Sequence, residues 1–305
     1  MSAQTYTAAT SVDEALEAMA AGARPIAGGT DLVVGARGGK APLPDALVAI
    51  HGVSELRGVR EQDGGLVLGA LATHADIVAS STACELFTAL ADASAIVGSH
   101  ATRNAGTIGG NVMNASPAME TGGPLMCFDA VATLRSATGS RRVPLADLFT
   151  GPGRTVAEPG ELLTELTIPA PAQGAGSCYA RLEYRRQMEI AIVGATAMVT
   201  LDGGTVRDAR IAITALAPTI HRVTEAEQAL NGSDASDAAV HAAADAAAGA
   251  SRPISDVRGS AEYRRAMAAV LTRRAISTAI ARARGGRFPI PASPALHGAV
   301  NGGAA

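Results

Sequence analysis

The stretch RNAGTIGGNVMNASP, residues 103–117, decides how the rest of the chain reads. It sets three glycines (Gly106, Gly109, Gly110), three side-chain amides (Asn104, Asn111, Asn114) and two hydroxyls (Thr107, Ser116) among few large side chains. That composition predicts a loop that wraps a polar ligand, and not a core element. A second glycine pair lies upstream, in Ile26-Ala27-Gly28-Gly29-Thr30-Asp31-Leu32. Two such segments in one chain form a more specific pattern than either alone.

Working outward, a short strand is expected at residues 24–27, followed by the glycine pair and an apolar start at Leu32. Strand, glycine turn and helix start let backbone N–H groups approach an anion, and a pyrophosphate is the natural guest. The plain alternative is a tight turn in which glycine supplies positive φ. Ser11 and Glu14 have capping-box spacing before Val12, Ala15, Leu16 and Met19, so a helix is expected up to Gly22. Residues 46–50 and 66–70 read as short strands. A short helix follows at 73–80, with Thr73 and Asp76 as its cap pair and His74 expected at the surface. A longer helix is expected over 83–97, with Leu86, Phe87, Leu90 and Ala93 on one face and Cys84 as a small hydrophobe.

Beyond Pro117, strands are expected at 130–134, around 142–143 and at 161–169. Residues 169–176, PAPAQGAG, are the best linker candidate and the expected domain boundary. Three strands then follow, at 177–184, 190–201 and 206–216, as an antiparallel meander. Helices are expected at 224–230, 236–248 and 260–284. The last carries Tyr263, Met267, Val270, Leu271 and Ile276 on its apolar side, and its arginines are expected to form a solvated face. From Gly285 onward the composition predicts a loose tail able to lie along another subunit.

Composition bounds the function. A chain of 305 residues predicts two compact units, or one with a subdomain, and 48% apolar against 17% charged residues provides a sizeable core. With 25 basic and 28 acidic residues, no Trp, and Phe and Tyr at four each, nothing points to a nucleic-acid partner. Cys84, Cys127 and Cys178 stand far apart without a CxxC pair, so neither structural zinc nor an iron–sulfur cluster is expected on this chain. The N-terminus has no secretion-signal pattern, and no apolar run reaches the roughly 18–20 residues of a membrane span. A cytoplasmic protein is expected. There is no GxSxG, HExxH or Walker lysine, and no GxGxxG after a strand.

The pair AGGTDL and RNAGTIGGNVMNASP resembles the FAD-binding medium subunit of the molybdenum-containing hydroxylases, the xanthine dehydrogenase and carbon monoxide dehydrogenase family. The likeness extends through ELLTELTIP (161–169) and RLEYRRQMEIAIVG (181–194), covering nearly the whole chain to residue 284. It implies an α+β fold: a two-subdomain FAD-binding domain of the vanillyl-alcohol oxidase type at 1–172, dividing near residue 55. A C-terminal domain at 177–284, with a three-stranded antiparallel sheet and a helical bundle, and a flexible tail at 285–305 complete the implied layout.

By matching position, the resemblance puts Ile26, Ala27, Gly28, Gly29, Thr30, Asp31 and Leu32 on one side of the FAD pyrophosphate. Thr107, Ile108, Gly109, Gly110 and Asn111 stand on the other. Asn114 and Ser116 match positions at the ribityl chain or flavin ring, Leu163 a leucine over one ring face, and Val97 a position on the other side. Glu120 and Arg181 match sites near the flavin where relatives commonly carry aspartate and often lysine. The longer glutamate implies a roomier site or a bridging water. Glu189 also stands where relatives often have aspartate.

The implied function is electron relay. A large molybdenum-cofactor subunit hydroxylates the substrate, a small subunit with two [2Fe-2S] clusters conducts electrons, and this chain's FAD passes them to NAD, oxygen or another acceptor. The implied assembly is a dimer of heterotrimers, a heterohexamer. No residue of this chain is expected as an acid, base, nucleophile or metal ligand. The competing expectation is a non-catalytic nucleotide-binding assembly subunit.

Overall fold

The computed structural model describes residues 5–298 apart from residues 40 and 186. Three short strands open the chain, β1 (Thr5–Ala8), β2 (Arg24–Ile26) and β3 (Ala46–Ala49), paired in parallel in the order β1-β3-β2. Parallel neighbours need crossovers, supplied here by α1 (Val12–Ala20) and α2 (Leu32–Arg37). The Ser11 hydroxyl caps α1 by accepting the Glu14 N–H at 3.2 Å. The return leg of the expected capping box lands one residue early, with Glu14 Oε2 accepting from the Thr10 N–H and hydroxyl at 2.7 and 2.9 Å. Val12, Ala15 and Leu16 bury against Val48, Ile50 and Leu71.

The next layer starts with β4 (Val59–Gln62) and β5 (Gly65–Gly69), followed by α3 (His74–Ala79), whose Thr73–Asp76 capping box is complete. The single helix expected over 83–97 is two, α4 (Ser81–Leu86) and α5 (Thr88–Ile96). The break falls at Phe87, fully buried with its ring centroid 5.1 Å from that of Phe128. Anchoring that ring turns the chain, which leaves Leu86 exposed.

Residues 103–117 also depart from expectation. Most of the stretch is helical, in α6 (His100–Ala105) and α7 (Ile108–Asn114), and Ile108 and Val112 are core residues. The hydroxyls of Ser99 and Thr107 cap the two helices. Gly109 serves close packing, since a Cβ there would sit 2.6 Å from the Ala70 carbonyl oxygen. A sequence rich in glycine and amides has become two capped helical turns with a short joint at Gly106 and Thr107.

After α8 (Gly122–Cys127) come β6 (Val131–Ser136) and β7 (Gly139–Pro144), the one-turn α9 (Leu145–Leu148), a small hairpin of β8 (Phe149–Gly151) and β9 (Arg154–Thr155), and β10 (Leu162–Ile168). The five long strands form an antiparallel sheet in the order β4-β5-β10-β6-β7. A second antiparallel sheet contains β11 (Ala175–Leu182), β12 (Val193–Asp202) and β13 (Thr205–Thr214). The expected three strands gain a two-residue fourth, β14 (His221–Arg222), where the chain returns beside Ala212 and Ile213. One face of this sheet joins the main core through Tyr179, Met198 and Ala212. The other packs under α10 (Thr224–Leu230), α11 (Asp237–Ala250) and α12 (Ala261–Ala283).

Two C-terminal expectations are corrected. The arginines of α12 are not all solvated: Arg264 is buried, its guanidinium 2.5 Å from Asp256, and Arg282 reaches inward to Asp92. Conversely, Tyr263 is exposed. The segment after Gly285 folds back onto the protein, burying Ala292 and Ser293 before α13 (Ser293–Gly298). It has polar partners waiting in the fold, which composition does not reveal. The rest of the expected tail, 299–305, lies outside the described residues.

Candidate functional site

The two glycine segments meet. Gly28 lies so close to the end of α6 that a Cβ on it would fall 1.7 Å from the Ala105 carbonyl oxygen and 3.2 Å from the Gly106 nitrogen. No L side chain fits there. Gly29 has φ +68°, the left-handed conformation that glycine adopts freely, and it sits between Ile26 and Val33. Among the described residues no protein acceptor meets the N–H groups of Gly28, Gly29 or Thr30. Three successive backbone donors without partners at an accessible turn form a concave anion site, and a multi-oxygen group such as a diphosphate is its complement. The Thr30 hydroxyl faces the same spot, 3.4 Å from where a Gly106 Cβ would lie.

The second segment contributes differently from the expectation of backbone donors on both sides. The Ile108 N–H donates to Ala72 O at 2.8 Å, that of Gly109 to Ala70 O at 2.9 Å, and that of Gly110 to the Thr107 hydroxyl at 3.1 Å. The first two fix α7 to the residues following β5, and the third closes the cap of α7. The Asn111 side chain is half-buried, and its Oδ1 accepts from the Thr121 hydroxyl at 2.6 Å. Gly110 is exposed, with Thr107 Oγ1 3.0 Å from its would-be Cβ, so Gly109 is the sterically stricter of the pair.

Below this junction stands His74, expected at the surface and found 1% exposed. Its backbone N–H donates to Gly106 O at 3.2 Å, and its ring carbon lies 3.6 Å from the would-be Gly106 Cβ. Burial, with the Arg103 charge nearby, lowers its pKa to about 4, so it is a neutral wedge at neutral pH. Local sequence gave no sign of this, because the first position of a capped helix is usually wet. The signal lay in the tertiary position of Gly106. Arg103 itself reaches back to the Val97 carbonyl at 3.0 Å.

Glu120 and Arg181 form one buried unit. Arg181 Nη1 lies 2.8 Å from Glu120 Oε1, and Arg181 Nε lies 2.9 Å from Glu183 Oε2. Nη1 also donates to Ile96 O at 3.2 Å, next to Val97. Burial pushes the Glu120 carboxyl up, and Arg181 opposes that shift. Arg181 has no exposed surface, and its guanidinium touches Glu120, Glu183 and the carbonyls of Ile96 and Glu189. Leu163, on β10, is also buried; beside it Thr164 O accepts the Ala70 N–H, the same residue whose carbonyl holds Gly109. Asn114 and Ser116 are half-buried around the turn at Ala115, which has φ +47°. Among the described residues no group of three His, Cys, Asp or Glu side chains is placed to hold a metal ion, and no helix is long and apolar enough to cross a membrane.

Residues 2–171 match the family model described as the FAD binding domain in molybdopterin dehydrogenase, and residues 178–279 match the CO dehydrogenase flavoprotein C-terminal domain. The carbon monoxide dehydrogenase medium chain of Hydrogenophaga pseudoflava is 35% identical over 239 residues, 78% of this chain and 83% of that one. Subunit alpha of the 6-hydroxypseudooxynicotine dehydrogenase complex of Paenarthrobacter nicotinovorans is 35% identical over 290 residues, 92% of this chain and 95% of that one. A chain of reconstituted CO dehydrogenase from Oligotropha carboxidovorans superimposes with a TM-score of 0.88 at 32% identity, covering 92% of this chain and 99% of that one. The donor set at Gly28–Thr30 fits the cofactor those matches specify. This chain belongs to the FAD-binding subunits of the molybdenum hydroxylase family, and is an oxidoreductase subunit of that family.

Proposed function

We propose that this chain carries FAD and relays electrons, accepting them from [2Fe-2S] clusters on a small partner subunit and delivering them to an external acceptor such as NAD or oxygen. The observation that supports it most is the run of N–H groups at Gly28, Gly29 and Thr30 that meet no acceptor among the described residues, with Gly28 pressed against Ala105 and Gly106. Bound there, FAD supplies the redox chemistry, taking up and giving back electrons. The protein's own part is to bind and orient. Ile26, Ala27, Asp31 and Leu32 frame the donor turn, while Thr107, Ile108, Gly109, Gly110 and Asn111 form the facing wall. Asn114, Ser116 and Glu120 line the way to the ring, with Val97 and Leu163 at its two faces and Arg181 setting the charge behind Glu120. In this reading the FAD-binding domain spans 1–172 and the C-terminal domain 177–284.

The oxidised substrate binds elsewhere, on a large molybdenum-cofactor subunit, and the complex is a cytoplasmic dimer of heterotrimers. Co-purification with partner subunits, followed by mass and metal analysis, tests the assembly. For the relay itself, the isolated chain should be yellow, with about one FAD per chain, and a reductant should bleach it. A colourless chain that still docks its partners would instead identify an assembly subunit.

A further inference from the structure

Strand β11 lies at the edge of its sheet, and an edge presents backbone N–H and C=O groups that need partners. Along an antiparallel strand, alternate residues aim those groups to the same side, so residues 177, 179 and 181 share the free edge. Among the described residues no strand covers that edge. Side chains do so instead. Ser177 O accepts from Arg282 Nη1 and from the Thr88 hydroxyl, both at 2.7 Å. The Tyr179 N–H donates to Asp92 Oδ2 at 3.3 Å. At residue 181 the Ser293 hydroxyl takes both roles of a neighbouring strand, accepting the Arg181 N–H at 2.9 Å and donating to Arg181 O at 3.0 Å.

The same carboxylate ties the pieces together. Asp92, in α5, has no exposed surface; it takes Arg282 at 2.6 and 3.2 Å and the Ala292 N–H at 2.9 Å. The Arg282 guanidinium also lies 5.8 Å over the Phe288 ring, along the path of the returning segment. Residues 88, 92, 282, 292 and 293 therefore converge on one strand edge. That edge ends at Arg181, whose side chain holds Glu120 and the Ile96 carbonyl.

We propose that residues 285–293 are a strap that, through Ser293, completes with Thr88, Asp92 and Arg282 a side-chain substitute for the missing edge strand, and that Ser293 and Asp92 are positioning residues acting on the cofactor site through Arg181. The effect on the cofactor rests on the proposed placement of Glu120 beside FAD; the strap itself does not. A short polar anchor suits this place because it satisfies the strand's backbone while leaving the edge unable to pair with another chain.

The test uses the full chain with Ser293→Ala, Ser293→Thr and Asp92→Asn, with and without added FAD. Hydrogen exchange in the FAD-free protein should show the Arg181 amide exchanging about tenfold faster in S293A, the loss expected of one local anchor. With FAD bound, S293A should release it several-fold faster and alter the visible circular dichroism of the flavin, and S293T should restore both. D92N should loosen exchange from Tyr179 to Arg181. Unchanged exchange at Arg181 in S293A and D92N would overturn the strap. Faster exchange with an unchanged flavin signal and release rate would overturn the positioning role. Wild-type chain that binds no FAD would count against the cofactor reading, while exchange alone would still decide the strap.

Discussion

Arg181 and Glu120, 61 residues apart in the chain, meet at 2.8 Å with the arginine side chain fully buried and the glutamate side chain 9% exposed. Two charges this well shielded are costly to desolvate; Arg181 compensates the Glu120 carboxylate, and Glu120 shares the compensation of Arg181 with Glu183 at 2.9 Å. Removing either alone by E120A or R181A is expected to destabilise the chain by about 3–5 kcal/mol. Replacing both, as E120L/R181M, should cost less than the sum. Urea unfolding of the three variants measures this, and strictly additive losses would mean that the pair is not coupled.

Gly28 and Ala105 set the steric limit of the site. A Cβ 1.7 Å from a carbonyl oxygen cannot be accommodated without moving α6 away from the donor turn. Gly28→Ala should therefore lower FAD retention by at least about tenfold, or 1.4 kcal/mol of binding, while leaving the far C-terminal domain folded. Gly109→Val should do the same by prising α7 from Ala70. Gly110→Val tests the exposed neighbour; it meets only the Thr107 hydroxyl, so its loss of flavin should be the smallest of the three. Flavin absorbance per chain after gel filtration reads all three.

His74 predicts a pH dependence. Its folded pKa of about 4 lies below the ordinary value of 6.5, because burial and then Arg103 disfavour the imidazolium. The unfolded state thus binds a proton more readily. The stability from neutral His74 is fully present above pH 6.5 and is lost as pH falls toward 4, by up to about 3 kcal/mol. In His74→Leu that component should be missing between pH 6.5 and 4. Denaturant midpoints at several pH values check it, and equal acid sensitivity of the two proteins would refute the assignment.

Phe87 joins α4 to α5 through its contact with Phe128. Phe87→Ala should cost about 3–5 kcal/mol and Phe87→Leu about 1 kcal/mol, since leucine refills most of the volume. Thermal or urea unfolding distinguishes the two.

The three thiols should differ in reactivity. Cys127 and Cys178 are fully buried and burial pushes both thiols up, whereas Cys84 is half-buried with its Sγ 3.2 Å from Val78 O. A thiol reagent should label Cys84 slowly and the other two only on unfolding. Mass mapping of the labelled native chain gives the answer.

Local and periodic features are legible in the chain before it folds. Ser11 and Thr73 announced their helices because a capping hydroxyl needs only the next three residues. Apolar runs between glycine and proline turns place β5, β6 and β10 and the three long strands β11 to β13, whereas β1, β4 and β14 carry no such signal; the two glycine segments point to one polar ligand. Tertiary structure decided the rest. It broke the helix at Phe87 to seat a ring against Phe128, and it turned residues 103–117 from a wrapping loop into two helices, the second of which spends the N–H groups of Ile108 and Gly109 on the carbonyls of Ala72 and Ala70 just beyond β5. It buried His74 beneath Gly106. It also drew Arg282 and residues 292–293 to Asp92 and the edge of β11, 190 residues and more from Asp92 in sequence. A cap or a turn is fixed by neighbours in the chain. The burial of a charge or the covering of a strand edge depends on which distant groups arrive to satisfy it.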